Sequence, residues 1–446
     1  MESLTEISEL DALIELLEQD PIELTDSFRE LNASQWARLI ESLHNDQRLK
    51  LWHHIDTNMS SAILAELHED TLQQFLSVLP HHKIEETVTG SSHTDAVEIL
   101  EALPEKTAHR IIKKLSPETK SQIEVSFRYS EDQVGRYANQ DVYTLDEQEK
   151  VSDILAELKG GENTLDSNSF IVVEEDNHYL GEVSLNELLN ATHQKTIAEL
   201  VHANDNLLSA EHSLLEASNK VKESQKNYLP VIAENGQFIG VFSIQDALDV
   251  FQDFYEAQVA HMGNVDDEDL FSPVLISSRR RAVWLGINLL TAFLASFVIG
   301  IFDKVLIEVV ALAVLMPIVA SMGGITGSQS LTLTIRGLAT GQISNKNLAA
   351  LRNKEFLVAL LNSGCWALLV ALVSYYWFNN GTLAIIFACA IIINMIVASF
   401  SGVYIPVILE KFGIDPAIAG SVVLTTVTDV TGFFVFLGAA TLVFMT

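Results

Sequence analysis

Five long apolar runs in the C-terminal part of the chain constrain the fold most strongly. They cover Val283–Phe302, Val305 to about Ile335, Phe356–Phe378, Leu383–Leu409 and Pro416–Thr446. A bilayer core of roughly 30 Å needs about 20 apolar residues of helix. Since lipid cannot hydrogen-bond to a backbone, each run is expected to be helical. The sequence therefore predicts an all-α polytopic membrane domain of five helices.

The basic residues of this part predict how the spans are oriented. Lysine and arginine are retained on the cytoplasmic side of short loops. Eight of the nine basic residues after residue 270 fall before the first span, between the second and third, or between the fourth and fifth. Only Lys304 lies in another loop. This pattern favours a multi-pass protein with a cytoplasmic N-terminal half and an external C-terminus.

The N-terminal part carries almost all of the negative charge. Residues 1–270 have a net charge of −35, whereas residues 271–446 have +3. Such an acidic half would repel phosphate, so we exclude nucleic acid as a partner and expect cations as ligands. The first ten residues, MESLTEISEL, are acidic and polar, so we expect no cleavable signal.

Residues 1–127 read as short amphipathic helices. Leu-Pro pairs at Leu79-Pro80 and Leu103-Pro104 recur at a spacing of 24 residues, and Ser116-Pro117 follows. A repeated helix start of this kind is typical of a helical stack. We therefore predict an acidic all-α superhelical domain over residues 1–130.

Residues 131–250 contain an internal repeat of strand, turn, strand and helix start. The segment from Phe170 (FIVVEEDNHYLGEVSLNEL) aligns at an offset of 59 with the one from Leu229 (LPVIAENGQFIGVFSIQDA). The repeat resembles a tandem cystathionine-β-synthase (CBS) pair, an α/β module that often binds nucleotides, so ATP is a candidate ligand. A connecting helix over residues 251–278 and a pore domain over 279–446 complete the predicted organisation.

The last span carries an ionisable group where the bilayer offers no hydration. Asp429 lies 13 residues from one end of the run and 17 from the other, within TTVTDVTG. A neutral aspartate that joins two helices is one interpretation; a cation pathway is the other. Thr425 and Thr428 flank the carboxyl and supply further oxygen atoms.

The second span adds a glycine-rich segment after Pro317, GGITGSQS. Its glycines either permit close helix packing or free backbone carbonyls, with Gly324 and Gln329 as candidate oxygen ligands. All thirteen histidines lie at or before His261, so no imidazole lies in the spans. The candidate ligands around Asp429 and in the glycine-rich segment bind through oxygen. Oxygen surroundings suit hard cations such as magnesium, calcium or manganese and argue against zinc or copper.

The order of these domains resembles the MgtE family of magnesium channels over essentially the full chain. The motifs that carry the resemblance are Arg281-x-x-Trp284-Leu285, Pro317 with GGxxGxQS, Arg336-Gly337-Leu338-Ala339, Asp415-Pro416-Ala417 and Thr425-Thr426-x-Thr428-Asp429-Val430-Thr431-Gly432. The resemblance implies a homodimer in a bacterial inner membrane, with a pore lined by the second and fifth spans. It also implies that Asp429 faces a hydrated magnesium ion, that the Thr425 carbonyl lies near it, and that Asp415 lies at the cytoplasmic mouth.

The same resemblance implies regulation by internal magnesium bound between the cytoplasmic domains and the connecting helix. The positions that match are Asp95, Glu98, Gly135 and Asp246, with Glu256 as a further candidate. Two positions depart from the family. Ile325 replaces an expected asparagine beside the pore ion, and Val259-Ala260 replaces an expected acidic pair. Selectivity among magnesium, manganese, cobalt and calcium, and the strength of magnesium sensing, therefore stay open.

Three function classes remain to be compared. A channel or transporter that moves divalent cations down their gradient into the cytoplasm fits the features above. A membrane-anchored cation or nucleotide sensor without conduction is the alternative, because of Ile325 and the altered connecting helix. An intramembrane aspartyl protease would need two positioned carboxylates, and the sequence places only Asp429 at depth. We therefore expect a protein that is not an enzyme.

Overall fold

The computed structural model describes residues 31–43, 45–52, 55, 57–159, 169–174, 176–204, 206–263, 265, 274–344 and 346–445. These residues form two compact units, and the chain passes from the first to the second between Tyr255 and Glu256. The acidic run Asp266–Asp269, a candidate for regulation, lies outside the described residues. Each unit is considered by itself below.

The first unit begins with a stack of short helices, which confirms the predicted helical domain. Pro80 and Pro104 are the N-cap residues of two of them, and Ser116 caps a third that has Pro117 in its first turn. Proline is tolerated there because the first amides of a helix have no helical acceptor. The helices are α1 (Ala33–Glu41), α2 (Asn45–Trp52), α3 (Thr57–Ala65), α4 (Glu69–Val78), α5 (His81–Gly90), α6 (His93–Glu101), α7 (Glu105–Ile112) and α8 (Pro117–Ser126).

One apolar core joins these helices. Leu39, Ile63, Phe75 and Ile99 come from four different helices and are at most 1% exposed. Removing such side chains from water is the main favourable contribution to stacking short helices, each of which is marginal alone.

The CBS pair is also confirmed, and its two halves repeat in three dimensions. The strands are β1 (Thr144–Asp146), β2 (Ser169–Val173), β3 (Tyr179–Ser184), β4 (Leu208–Ser209), β5 (Tyr228–Ile232) and β6 (Phe238–Ser243). They form two sheets, β1-β2-β3 and β4-β5-β6, in which the first pair is parallel and the second antiparallel. Val172 pairs with Gly181, and Val231 pairs with Gly240, at the predicted offset.

Short helices complete the CBS pair, and one long helix follows it. They are α9 (Val134–Tyr137), α10 (Val151–Lys159), α11 (Leu185–Asn190), a 3-10 turn (Ile197–Glu199), α12 (Leu214–Ser224) and α13 (Ile244–Met262). The sequence predicts the connecting helix at residues 251–278. Helix α13 instead begins directly after β6 and ends at Met262, and the next helix begins at Val274.

Within its described residues, the second unit contains five helices of 28 to 31 residues, each long and apolar enough to span a bilayer. They are α14 (Val274–Ile301), α16 (Ala311–Ala339), α17 (Leu348–Phe378), α18 (Gly381–Lys411) and α19 (Pro416–Phe444), and a short helix, α15 (Asp303–Glu308), precedes the second span. The prediction of five spans is confirmed. Two limits were wrong: Val305 belongs to α15 rather than to the second span, and α17 begins eight residues before Phe356.

The fourth span, α18, is the centre of this unit. It contacts α16, α17 and α19. Phe387 and Ile391 of α18 pack with Phe436 and Leu437 of α19 in a core whose members are almost fully buried. Helix α18 therefore fixes the positions of the second and fifth spans, which carry most of the candidate pore residues.

Candidate ion-conducting site

Asp429 lies in the middle of α19 and is partly exposed in the single chain. One turn earlier, Thr425 is exposed, and its hydroxyl donates to the carbonyls of Ser421 and Val422 at 3.0 and 3.1 Å. Thr428 is fully buried and donates its hydroxyl to the Thr425 carbonyl at 3.0 Å. The exposed strip of α19 thus presents Asp429 and Thr425, whereas the Thr428 hydroxyl is directed to the backbone.

Two glycines of the second span, Gly323 and Gly327, allow close packing of neighbouring spans. Helix α16 is continuous from Ala311 to Ala339, so the glycines do not interrupt it. A Cβ atom on Gly327 would lie 2.7 Å from a Leu424 methyl carbon of the fifth span. The packing interpretation is therefore correct for Gly327. Gly324 differs, because a Cβ there would meet no atom within 4 Å.

A buried asparagine of the fourth span joins the second and fifth spans. Asn394 is 0% exposed, and its Nδ2 donates to the Val319 carbonyl at 2.9 Å. A Cβ atom on Gly323 or Gly432 would lie 2.2 or 2.7 Å from this Nδ2. Gly432 follows Asp429 by three residues, so the amide packs within one turn of the carboxyl. Asn394 is not among the candidate residues predicted from the sequence, although it is the only amide in the run 383–409.

Gln329 and Ile325 lie on a different side of the second span from the side that packs on α19. Both line a cavity of about 300 Å³ between α16, α17 and α18. The fifth span packs instead on Gly327 and on Leu331, whose methyl groups approach Gly420. Since helix positions 325 and 329 are more than 100° from 327, Gln329 does not share a surface with Asp429 in one chain.

The same cavity contains a carboxylate that the sequence analysis did not consider. Glu355, in the second turn of α17, is 5% exposed. Its Oε2 accepts a hydrogen bond from the Ser330 hydroxyl at 2.8 Å. The apolar run that predicts the third span begins at Phe356, so Glu355 falls one residue outside it.

Asp415, predicted at the pore mouth, is the N-cap residue of the fifth span. Its Oδ1 accepts from the Ala417 amide at 2.7 Å, and its Oδ2 is 2.8 Å from Nδ1 of His261. His261 lies in the last turn of α13, in the part of that helix that belongs to the second unit. A side chain from the end of the connecting helix therefore contacts the start of the last span.

The predicted regulatory carboxylates Asp95, Glu98 and Asp246 lie near one another in the first unit. Burial, and after it the negative charges of Asp95, Glu101, Asp253 and Asp246, together raise the pKa of Glu98 to about 8. Burial also raises the pKa of Asp95. Asp253 is a member of this cluster that the sequence analysis missed.

Asp246 has a local role as well. Its carboxylate accepts from the Ser243 amide at 2.7 Å, and the Ser243 hydroxyl accepts from the Asp246 amide at 3.1 Å, at the start of α13. Such reciprocal bonds stabilise a helix N-terminus. The negative charge is also favourable there because of the helix dipole.

The other two regulatory candidates lie in different settings. Gly135 is buried; its amide donates to the Ala210 carbonyl at 2.9 Å, and a Cβ there would lie 2.7 Å from the Ala210 Cβ. Glu256 is exposed and belongs to the second unit. In the described part of the chain, no three histidine, cysteine, aspartate or glutamate side chains are close enough to hold one metal ion.

Comparison with protein-family models assigns all three parts of the chain. A model described as a divalent cation transporter, MgtE, matches residues 316–439. The MgtE intracellular N domain matches residues 31–132, and CBS domains match residues 134–194 and 199–253. The chain belongs to the MgtE family. The identification from sequence motifs is confirmed, and the family consists of transporters rather than enzymes.

Individual relatives cover the same length. The chain is 26% identical over 441 residues to the magnesium transporter MgtE of Thermus thermophilus, covering 94% of this chain and 98% of the relative. It is 23% identical over 414 residues to MgtE of Bacillus subtilis, covering 92% of each. Among solved structures, the soluble part of a magnesium transporter is similar at 17% identity, with a TM-score of 0.46, covering 56% of this chain and 99% of that one.

Proposed function

We propose that this MgtE family member is a homodimeric channel for hydrated divalent cations, with magnesium as its principal ion. The observation that carries the proposal is Asp429, a partly exposed carboxylate in the middle of the last span, beside exposed Thr425. A carboxylate in this position is costly in lipid and is typical of an ion pathway. Magnesium binds through one or two carboxylates and keeps several of its waters.

The proposed dimer follows from the charge that one chain supplies. A single Asp429 offers one negative charge to a divalent ion, and a second copy across a symmetric interface would supply another. Gly324 of the second span is open to its surroundings, as is the strip of α19 that carries Thr425. These surfaces are the ones that a pore between two copies would use.

Inward movement needs no coupled energy source. An inside-negative potential contributes about 2.3 kcal/mol per charge per 100 mV, hence roughly 4.6 kcal/mol for a divalent ion. A passive pathway is therefore sufficient for uptake into the cytoplasm.

The decisive experiment is divalent-ion flux into liposomes that contain wild-type protein, Asp429→Ala or Asp429→Asn. We expect both variants to lose most of the flux, since each removes the fixed charge of the pore. Asp303→Asn is the matched control, because Asp303 is an exposed carboxylate of the same unit. Wild-type flux in both Asp429 variants, at equal protein per liposome, would refute the pore assignment. Absence of flux in the wild type, with cations still bound, would favour the sensor alternative.

Gating by internal magnesium is the second part of the proposal. Without ions, the net charge of −35 over residues 1–270 places the first unit under mutual repulsion. Burial raises the pKa of Glu98, and the negative charges around it add to that rise. Bound cations would relieve that repulsion and favour one arrangement of the domains. Because one weak site shifts an equilibrium little, several sites must act together. The loss of the acidic pair at Val259-Ala260 removes candidates, so closure should need more magnesium than in a relative that has the pair.

The contact between His261 and Asp415 gives this gating a local test. We expect His261→Ala to raise open probability at millimolar magnesium, because it removes a bond between the end of α13 and the last span. Single-channel recording, with limited proteolysis of residues 246–275 with and without magnesium, measures both steps. Equal cleavage and equal open probability in all conditions would show that the channel is not gated by its own ion.

We also propose that the CBS pair binds ATP, and the charges around one cavity indicate that ATP binds as its magnesium complex. A cavity of about 820 Å³ in the first unit is lined by Arg128 and by Glu118, Glu211 and Glu234. Three acidic groups against one arginine disfavour free ATP, so we expect its magnesium complex to bind. Calorimetric titration with ATP, with and without magnesium, tests this; binding of free ATP alone would contradict it.

A further inference from the structure

The cavity around Glu355 combines a buried carboxylate with several neutral oxygen groups. Glu355 retains only 6% side-chain exposure. The polar residues that line the cavity with it are Thr326, Gln329, Ser330, Asn362 and Ser399. They come from three different spans, so the cavity forms only when these spans pack together.

The protein groups around Glu355 leave its negative charge poorly compensated. The Ser330 hydroxyl is neutral and occupies one lone pair of Oε2. Lys354 Nζ lies 3.4 Å from Oε1, but the Lys354 side chain is 63% exposed. A pair with such an exposed lysine stabilises little. No lysine, arginine or histidine lines the cavity among the described residues. A buried carboxylate needs a positive or hydrogen-bonding partner, and the Glu355 carboxylate has lone pairs that face the cavity and accept no hydrogen bond from the described part of the chain.

The position of the cavity is compatible with an ion that comes from the cytoplasm. Glu355 follows the basic residues Arg352 and Lys354, which place the start of α17 on the cytoplasmic side. None of the described residues of the fifth span lines the cavity, so it is separate from Asp429 within one chain.

We propose that this cavity is a second divalent-cation site of the membrane unit, in which Glu355 binds a partly hydrated ion. The proposal rests on the proposed function for the identity of the ion. The carboxylate supplies the charge, and Gln329, Asn362 and Ser399 supply oxygen atoms that accept hydrogen bonds from the ion's waters. A magnesium or manganese ion that keeps several waters suits one carboxylate among neutral oxygens. Gln329, predicted as a ligand of the Asp429 ion, is thereby assigned to Glu355.

The test counts Mn²⁺ bound to the purified full-length protein by electron paramagnetic resonance, so that it does not depend on flux. All variants carry Asp429→Asn, which removes the site proposed in the pore. We expect Glu355→Gln to lose about one further ion per chain. Glu410→Gln is the matched control, since Glu410 is an exposed carboxylate at the end of α18 and the charge change is identical.

A second pair of variants keeps the test decisive if Glu355→Gln does not fold. Asn362→Ala and Gln329→Ala leave the carboxylate and its bond from Ser330 in place, and each should weaken the same Mn²⁺ site several-fold. Equal Mn²⁺ binding in these variants, in Glu355→Gln where it folds and in Glu410→Gln would overturn the proposal.

The experiments also distinguish failure of this second site from failure of the proposed channel function. A wild-type protein that conducts, with unchanged Mn²⁺ binding in the Glu355 variant, would refute this site alone. A wild-type protein that passes no ion but loses Mn²⁺ on Glu355→Gln would refute conduction and leave the site.

Discussion

Two adjacent glycines of the second span allow a sharp test of the packing around the pore helices. Gly323→Ala places a methyl group 2.2 Å from Nδ2 of Asn394, whereas Gly324→Ala places one in open space. Both changes replace glycine by alanine in the same helix, so the gain in helix propensity of about 1 kcal/mol is common to them. The difference in stability between the two variants therefore measures the contact with Asn394.

The magnitude follows from the geometry. Contact between carbon and nitrogen needs about 3.5 Å, so the amide of Asn394 must move by roughly 1.3 Å. Overpacking of this kind costs about 1–3 kcal/mol. The move also breaks the bond from Asn394 to Val319, and such bonds between spans contribute about 0.6 kcal/mol on average. We expect Gly323→Ala to be less stable than Gly324→Ala by about 2–4 kcal/mol, mainly through the steric term.

The assay is the free energy of unfolding in mixed detergent micelles, measured for both single variants and for Gly323→Ala combined with Asn394→Ala. If the clash is the cause, the combined variant should be about as stable as Asn394→Ala alone, since the methyl group then has room. Single variants that differ by less than about 0.5 kcal/mol would refute the packing argument, as would a combined variant in which the two costs simply add.

Three further outcomes are expected. Ile325 lines the Glu355 cavity, so Ile325→Asn should raise the ratio of magnesium to calcium flux if the ion in that cavity lies on the conduction path; an unchanged ratio would show that this position is not part of the filter. Gly135→Ala should lower the thermal stability of the first unit by about 1–3 kcal/mol, because the new methyl group meets Ala210, and a midpoint equal to that of Gly90→Ala, where space is open, would contradict this. Glu98→Gln should flatten the fall in stability between about pH 4.5 and 8 in metal-free buffer, because the folded carboxyl keeps a proton that the unfolded chain has lost, and an unchanged slope would count against its raised pKa.

Hydrophobic periodicity and internal repeats predicted the helices and strands well, because these elements depend on the pattern of neighbouring residues. The offset of 59 residues reappears as the pairs Val172–Gly181 and Val231–Gly240. The five apolar runs appear as five helices of spanning length. In both cases the physical requirement, burial of one face or of a whole helix, is visible in consecutive residues.

The side-chain arrangement of the membrane unit was predicted less well because it depends on helix rotation. Thr428 and Gln329 carry suitable oxygens, yet α19 directs Thr428 inward and α16 directs Gln329 to a cavity away from the fifth span. Glu355 was missed because the apolar run began one residue later. Asn394 had a signal, a single amide in an apolar run, but its contacts with two glycines from other spans require the tertiary structure.

The raised pKa of Glu98 connects proton binding to the proposed regulation by cations. With a pKa of about 8, this carboxyl carries a proton at neutral pH, and its negative neighbours are one reason. If magnesium binding draws Asp95, Glu98 and Asp246 together around one ion, that ion favours the ionised form of Glu98, so binding releases a proton near pH 7. The affinity of the first unit for magnesium should therefore rise with pH until Glu98 is ionised in the free protein, at about pH 8. If the bound ion restrains the pore, the internal magnesium concentration that halves open probability should fall between pH 6.5 and 8. A threshold that does not move with pH, or that rises, would mean that Glu98 takes no part in the regulatory site.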